Sequence, residues 1–180
     1  MKLDKYQASV LSFLFEKLPI GDDVDSLEFS LSGKFSGKYR SAYSTIEYCD
    51  QPARVVFTLP TYSRSVFVAL TRAAPYETAR VLANLEDYER ETSLTLGLGE
   101  AVVTPNRARS DSETPFAVIL LRTATSLDCV EVPDSEDIDG KRTLFFLVVP
   151  LTKEEWELRR QQGHDALMNK FQDDHKELFF

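Results

Sequence analysis

Thr143-Leu-Phe-Phe-Leu-Val-Val-Pro-Leu-Thr-Lys-Glu-Glu-Trp156 decides the fold. Leu144–Val149 is an unbroken apolar run with no polar alternation, the pattern of a strand covered on both faces. Thr152 and Glu155 then stand at the spacing of a capping box, in which each side chain satisfies a backbone N–H of the helix start. A doubly buried strand that passes straight into a helix requires helices layered against a sheet. A second such run, Phe116–Leu121, supplies another inner strand.

Working outward, Leu27, Phe29 and Leu31 alternate with Glu28 and Ser30 as in a half-buried strand, and Gly33–Gly37 turns the chain. Ala42–Tyr48, Arg54–Leu59 and Ser65–Thr71 read as further strands, rich in β-branched and aromatic residues. Tyr6, Val10, Leu14 and Leu18, with Phe13 beside them, recur at helical spacing behind an Asp4–Gln7 capping box, and Pro19 and Gly21 end that helix. Pro75 opens a second helix with the stripe Val81, Leu82, Leu85 and Tyr88. Gly97 and Gly99 precede a short strand, Glu100–Thr104, and a polar loop, Pro105–Thr114. An acidic loop spans Glu131–Gly140. The last helical region holds Trp156, Leu158, Leu167 and Phe171, with a bend at Gly163. Without repeats or a linker, residues 1–180 read as a single α/β (α+β) domain: a mixed central β-sheet flanked by helices, in one sandwich.

The length agrees. A compact chain of 180 residues buries roughly 70% of its unfolded surface, enough for one core. Its 29 acidic against 21 basic residues give a net charge of −8, which disfavours general binding to nucleic acid or to an anionic membrane. It favours a partner that is itself basic. No run approaches the ~18 apolar residues of a membrane span. The interrupted run Val10–Phe15 is no signal sequence, and Cys49 and Cys129 cannot form a disulfide framework. A cytoplasmic location with reduced thiols is expected.

Catalytic patterns are missing. Gly97-Leu98-Gly99 lacks the third glycine and the lysine of a phosphate cradle, so a turn is the favoured reading. His164, His175, Cys49 and Cys129 have no metal-ligand spacing, which favours surface histidines and no metal or cofactor. Asp50 and Asp128 beside the cysteines would raise a thiol pKa, against a reactive thiolate. Trp156 reads as a core anchor in preference to a surface one.

The acidic stretch carries the remaining content. Glu131, Asp134, Glu136, Asp137 and Asp139 gather before Gly140. Calcium-loop register fails, because setting Gly140 at the sixth position puts Phe146 where a bidentate Glu is needed. Two readings stay open: a solvated turn between buried strands, or an anionic patch that meets a basic partner.

Thr143 to Leu167 resembles the C-terminal signature of the suppressor of fused family: a buried strand, Pro150-Leu151-Thr152, the acidic helix start Glu154-Glu155, then Gly163 and Leu167. Pro75–Tyr88 resembles the family's helix with a leading Pro, where Tyr76 stands for the usual aromatic, and Leu96–Val102 resembles its strand. The likeness covers roughly residues 75 to 173 and, more weakly, 24 to 72. It implies a mixed α/β sandwich and a binding role without catalysis. Animal members are longer and restrain a transcription factor, an activity this chain lacks the length to share. Bacterial members of this length are proposed as immunity proteins that neutralise toxins. The expectation is therefore a non-catalytic protein-binding domain, most concretely an immunity protein. The alternatives are a chaperone or adaptor for a secreted or regulatory protein and, third, an unrecognised enzyme. The five acids are the expected partner-binding residues.

Overall fold

The structure, a computed structural model, describes residues 2–21, 23–31, 37–48, 51–105, 115–123 and 132–180. All but Gly37 of the expected Gly33–Gly37 turn, most of the 105–114 loop and both cysteines lie outside the described residues. The elements in chain order are α1 (Lys5–Lys17), β1 (Asp25–Phe29), β2 (Tyr39–Tyr48), β3 (Gln51–Thr58), β4 (Ser65–Thr71), α2 (Pro75–Thr92), β5 (Ala101–Val103), β6 (Ala117–Leu121), β7 (Ser135–Ile138), β8 (Lys141–Leu151), α3 (Lys153–Gln162) and α4 (His164–Asp173). The strands make one eight-stranded sheet in the order β1-β2-β3-β4-β8-β6-β5, with β7 also paired to β8. All pairings are antiparallel except β4 with β8, where Ser65–Val68 runs parallel to Leu144–Leu147. The sheet is mixed, and its uninterrupted apolar strands are covered on both faces.

Period-two alternation divides those strands between two cores. Val66, Val68, Leu70, Phe145, Leu147 and Val149 face one side, with Tyr6, Val10 and Leu14 of α1 and Leu167 and Phe171 of α4. Phe67, Ala69, Phe146 and Val148 face the other, against Ala79, Leu82 and Leu85 of α2. Phe145 through Val149 are at most 3% exposed. Each such side chain stabilises the fold by about 1.5–3 kcal/mol relative to exposure.

Both capping boxes form. Asp4 Oδ1 accepts from Gln7 N at 2.8 Å, and Thr152 Oγ1 accepts from Glu155 N at 3.2 Å while Glu155 Oε2 accepts from Thr152 N at 2.8 Å. Gly163 sits between α3 and α4 with φ of 93° and marks the expected bend. Trp156 is half-buried at the rim of the first core, its ring 5.5 Å from Phe116. Tyr88 departs from the expected stripe. It lies 40% exposed, because the face of α2 that meets the sheet continues from Leu82 and Leu85 through Glu86 and Glu89 instead.

The acidic stretch is the main correction. Read as a loop, residues 135–138 are strand β7, paired to β8 with Ile138 opposite Lys141 and Ser135 opposite Leu144. Asp139 and Gly140 close this hairpin with φ of 55° and 73°. Two consecutive positive φ values define the two-residue turn whose twist matches paired strands, and Asp-Gly is a preferred sequence for it. The acids masked the strand, since only Ile138 faces the core.

Candidate partner-binding surface

The β7–β8 hairpin lies beside α1. On α1, Tyr6, Val10 and Leu14 point into the core, which leaves Lys5, Ala8, Ser9, Ser12 and Glu16 toward the hairpin. Those small residues leave a groove of about 550 Å³ between helix and strand. Its apolar surface comes from Phe13 and Ile138, and its charged rim from Glu16, Glu136, Asp137 and Asp139 against the single cation Lys5. Lys5 Nζ stands 2.5 Å from Asp139 Oδ1. Glu136 and Asp137 are exposed and form no ion pair within 4 Å among the described residues. Among the described residues, the Glu136 carboxylate accepts only the neighbouring Asp137 N–H, at 3.2 Å.

The fold thus brings together three of the five expected residues, Glu136, Asp137 and Asp139. Asp134 is set apart: its carboxylate lies 3.4 Å from Arg122 Nε, and its carbonyl accepts from Phe145 N at 3.1 Å. Glu131 lies outside the described residues. Sequence reasoning missed the contribution of α1. The spacing of Lys5, Ser9, Ser12 and Glu16 put them on one helical side, but nothing local says which strand that side meets.

It also missed a buried polar cluster at one end of the sheet. Glu86, fully buried on α2, accepts the N–H groups of Thr61 and Tyr62, each at 2.7 Å. Gln7, also fully buried, donates to the Leu59 carbonyl at 3.1 Å and the Thr61 hydroxyl at 2.9 Å, and accepts from Arg40 Nη1 at 2.8 Å. The β3–β4 connection is held by α1 on one side and α2 on the other. Glu89 accepts from Ser65 Oγ and Leu96 N, both at 2.8 Å. Burial pushes the Glu86 carboxyl up to about 7, against the backbone amides of Tyr62, Thr61 and Ser63, which favour its charged form. Burial raises Glu89 as well. Both positions continue the Leu82–Leu85 stripe at helical spacing, which was a readable sign of burial.

Nearby, the Tyr39 hydroxyl donates to Asp87 and accepts from Arg90 Nε at 2.8 Å. Burial, then the bond to Asp87, raises the Tyr39 pKa. These groups fix α2 to β2 through hydrogen bonds that are already complete. Gly97-Leu98-Gly99 is a turn, with Glu100 N donating to the Gly97 carbonyl at 3.2 Å. His164 and His175 are exposed. Among the described residues, no three His, Cys, Asp or Glu side chains converge on a common metal position.

The family model for Suppressor of fused protein (SUFU) matches residues 48–180. No curated protein sequence matches the chain. Among solved structures, a SUFU homologue from Neisseria gonorrhoeae FA 1090 superposes with a TM-score of 0.68 at 14% identity, covering 97% of this chain and 93% of that one. The Sufu–Fu complex superposes at 0.66 and 8% identity, covering 91% and 82%. Drosophila Suppressor of Fused gives 0.53 at 9% identity, covering 72% of this chain and 37% of its own.

Proposed function

The chain belongs to the suppressor of fused family, and from that premise we propose that it is a non-catalytic protein-binding domain that docks a basic partner on the acidic hairpin and the α1 groove. More finely, we propose an immunity protein that neutralises a toxin in the cytoplasm. A Sufu of the same fold was solved in complex with Fu, which supports a protein as the partner here. The described helices include none long and apolar enough to cross a membrane.

The observation that carries the reading is the pair Glu136 and Asp137, exposed and without ion-pair partners among the described residues, on the rim of a concave surface. A lysine or arginine from a partner could lay its aliphatic stem on Phe13 and Ile138 and its charged head among the carboxylates. In a chain of net charge −8, such a rim speeds encounter with a basic protein and selects against acidic ones. Toxin domains that attack nucleic acid are commonly basic, which is the motive for the finer reading.

The test is a pull-down from the native cell with mass spectrometry, followed by affinity measurements on the captured partner. Glu136→Lys with Asp137→Lys is the informative variant, because Asp139 also builds the turn and Asp134 is already paired. The expected result is a basic toxin whose affinity falls at least tenfold with the variant. An acidic partner, or unchanged affinity, would remove the hairpin from the mechanism.

A further inference from the structure

Strand β7 has one neighbour. Among the described residues it pairs with β8 alone, so its other side is an open sheet edge. The register says which backbone groups lie on that edge. Ile138 and Lys141 flank the two-residue turn and exchange main-chain hydrogen bonds, and in an antiparallel ladder every second pair does so. Glu136 with Thr143 is the next such pair. Asp134 with Phe145 follows, where Phe145 N donates to the Asp134 carbonyl at 3.1 Å. Ser135 and Asp137 lie between these positions, so their N–H and C=O groups turn outward. No other strand among the described residues meets them. One has a local substitute: the Asp137 N–H donates to the Glu136 carboxylate at 3.2 Å.

This edge borders the α1 groove. Ala8, Ser9 and Ser12 keep the helix wall low there, which leaves room for an incoming chain. Strand alternation puts Glu136 on the α1 face with Ile138, and Asp137 on the opposite face. An added strand would pass one acid on each face and then the apolar strip of Ile138 and Phe13. A second copy of β7 does not fit, because its acids would stand beside these. Short, charged edges resist self-pairing in this way. The same charges suit a basic chain.

We propose that a basic segment of the partner adds to β7 as an antiparallel strand, with two consecutive Lys or Arg residues opposite Asp137 and Glu136 and an apolar residue opposite Ile138. Its backbone takes over the Asp137 N–H from Glu136 and pairs with Ser135 as well. The inference rests on the hairpin being a docking surface, and adds the form in which the partner docks: extended, not helical.

The probe is a hexapeptide blocked at both ends, Thr-Val-Lys-Lys-Thr-Thr, titrated into the whole protein and followed by amide-resolved NMR. Expected are saturable shifts centred on Ser135 and Asp137, with both amides slowed in hydrogen exchange. In the antiparallel register the first lysine and the threonine after the pair turn their N–H groups to β7, and the second lysine turns its own away. N-methylation of the first two should weaken binding about tenfold or more, through two lost hydrogen bonds, whereas N-methylation of the second lysine should leave it within about twofold. Ser135→Pro removes an outward N–H that the β8 ladder does not use and leaves every charge in place, so it should fold and weaken the peptide about tenfold. If it does not fold, the methylated peptides carry the test. Equal binding of all the methylated forms would overturn strand addition while leaving a basic docking surface standing. Unsaturable shifts, or equal affinity for the peptide with glutamates in place of its lysines, would overturn the proposal together with the docking surface beneath it.

Discussion

Glu86 places a carboxylate where the apolar stripe of α2 requires a hydrocarbon, and uses it to hold two backbone amides of the β3–β4 connection. Its folded pKa of about 7 lies above the ordinary value of 4.5. The folded state therefore binds the proton more tightly than the unfolded state. The stabilisation is complete below the ordinary value and is lost as pH rises through 7. This difference amounts to about 3 kcal/mol. Glu86→Gln keeps an acceptor for the amides and removes the titration. Urea midpoints recorded from pH 4 to 9 should therefore fall less steeply with pH in the variant than in the parent. Parallel curves would show that Glu86 takes up no extra proton on folding. Gly140 is a second single-residue dependence. A Cβ there meets nothing within 4 Å, so the glycine serves its φ of 73° and not space. Gly140→Ala should cost about 1 kcal/mol in equilibrium unfolding, through left-handed strain alone. A neutral substitution would mean that the turn relaxes.

At the scale of elements, the strongest local signals in the sequence are borne out. Thr152→Ala removes the cap of α3 and should cost about 1 kcal/mol by chemical denaturation. Glu155 does more than cap: its carboxylate also meets Lys176 Nζ at 2.7 Å, where both side chains are largely buried. Glu155→Ala should accordingly cost more than Thr152→Ala, by about 1 kcal/mol or more. Equal losses would place the Lys176 contact outside the energetics. These boxes, the Pro75 helix start, Ser65–Thr71 and the inner strands were legible because each has a local physical cause: a cap, a fixed φ, or period-two apolar spacing. Strand β7 was not legible as written. Three of its four residues are polar, and the Asp139-Gly140 turn, the one local sign of a hairpin, was absorbed into a charge run. The α1 wall of the groove was hidden for a different reason. Lys5, Ser9, Ser12 and Glu16 meet β7 only through the tertiary placement of the helix.

For the whole molecule, the sheet with its two cores is a rigid support, and the charge is distributed unevenly upon it. The net −8 is not spread into uniform repulsion. Asp134 is tied to Arg122 and Asp139 to Lys5, while Glu136 and Asp137 remain exposed beside a concave apolar strip. That distribution ties the proposed function to a physical cause: long-range attraction of a basic partner, followed by local burial of its side-chain stem. The most direct measurement is the association rate of the captured partner as a function of salt, for the parent and for Glu136→Lys/Asp137→Lys, by stopped flow. The account predicts a parent rate that falls steeply with ionic strength, and a variant that associates more slowly at low salt with a flatter dependence. Superimposable rates for the two proteins at every salt concentration would contradict it.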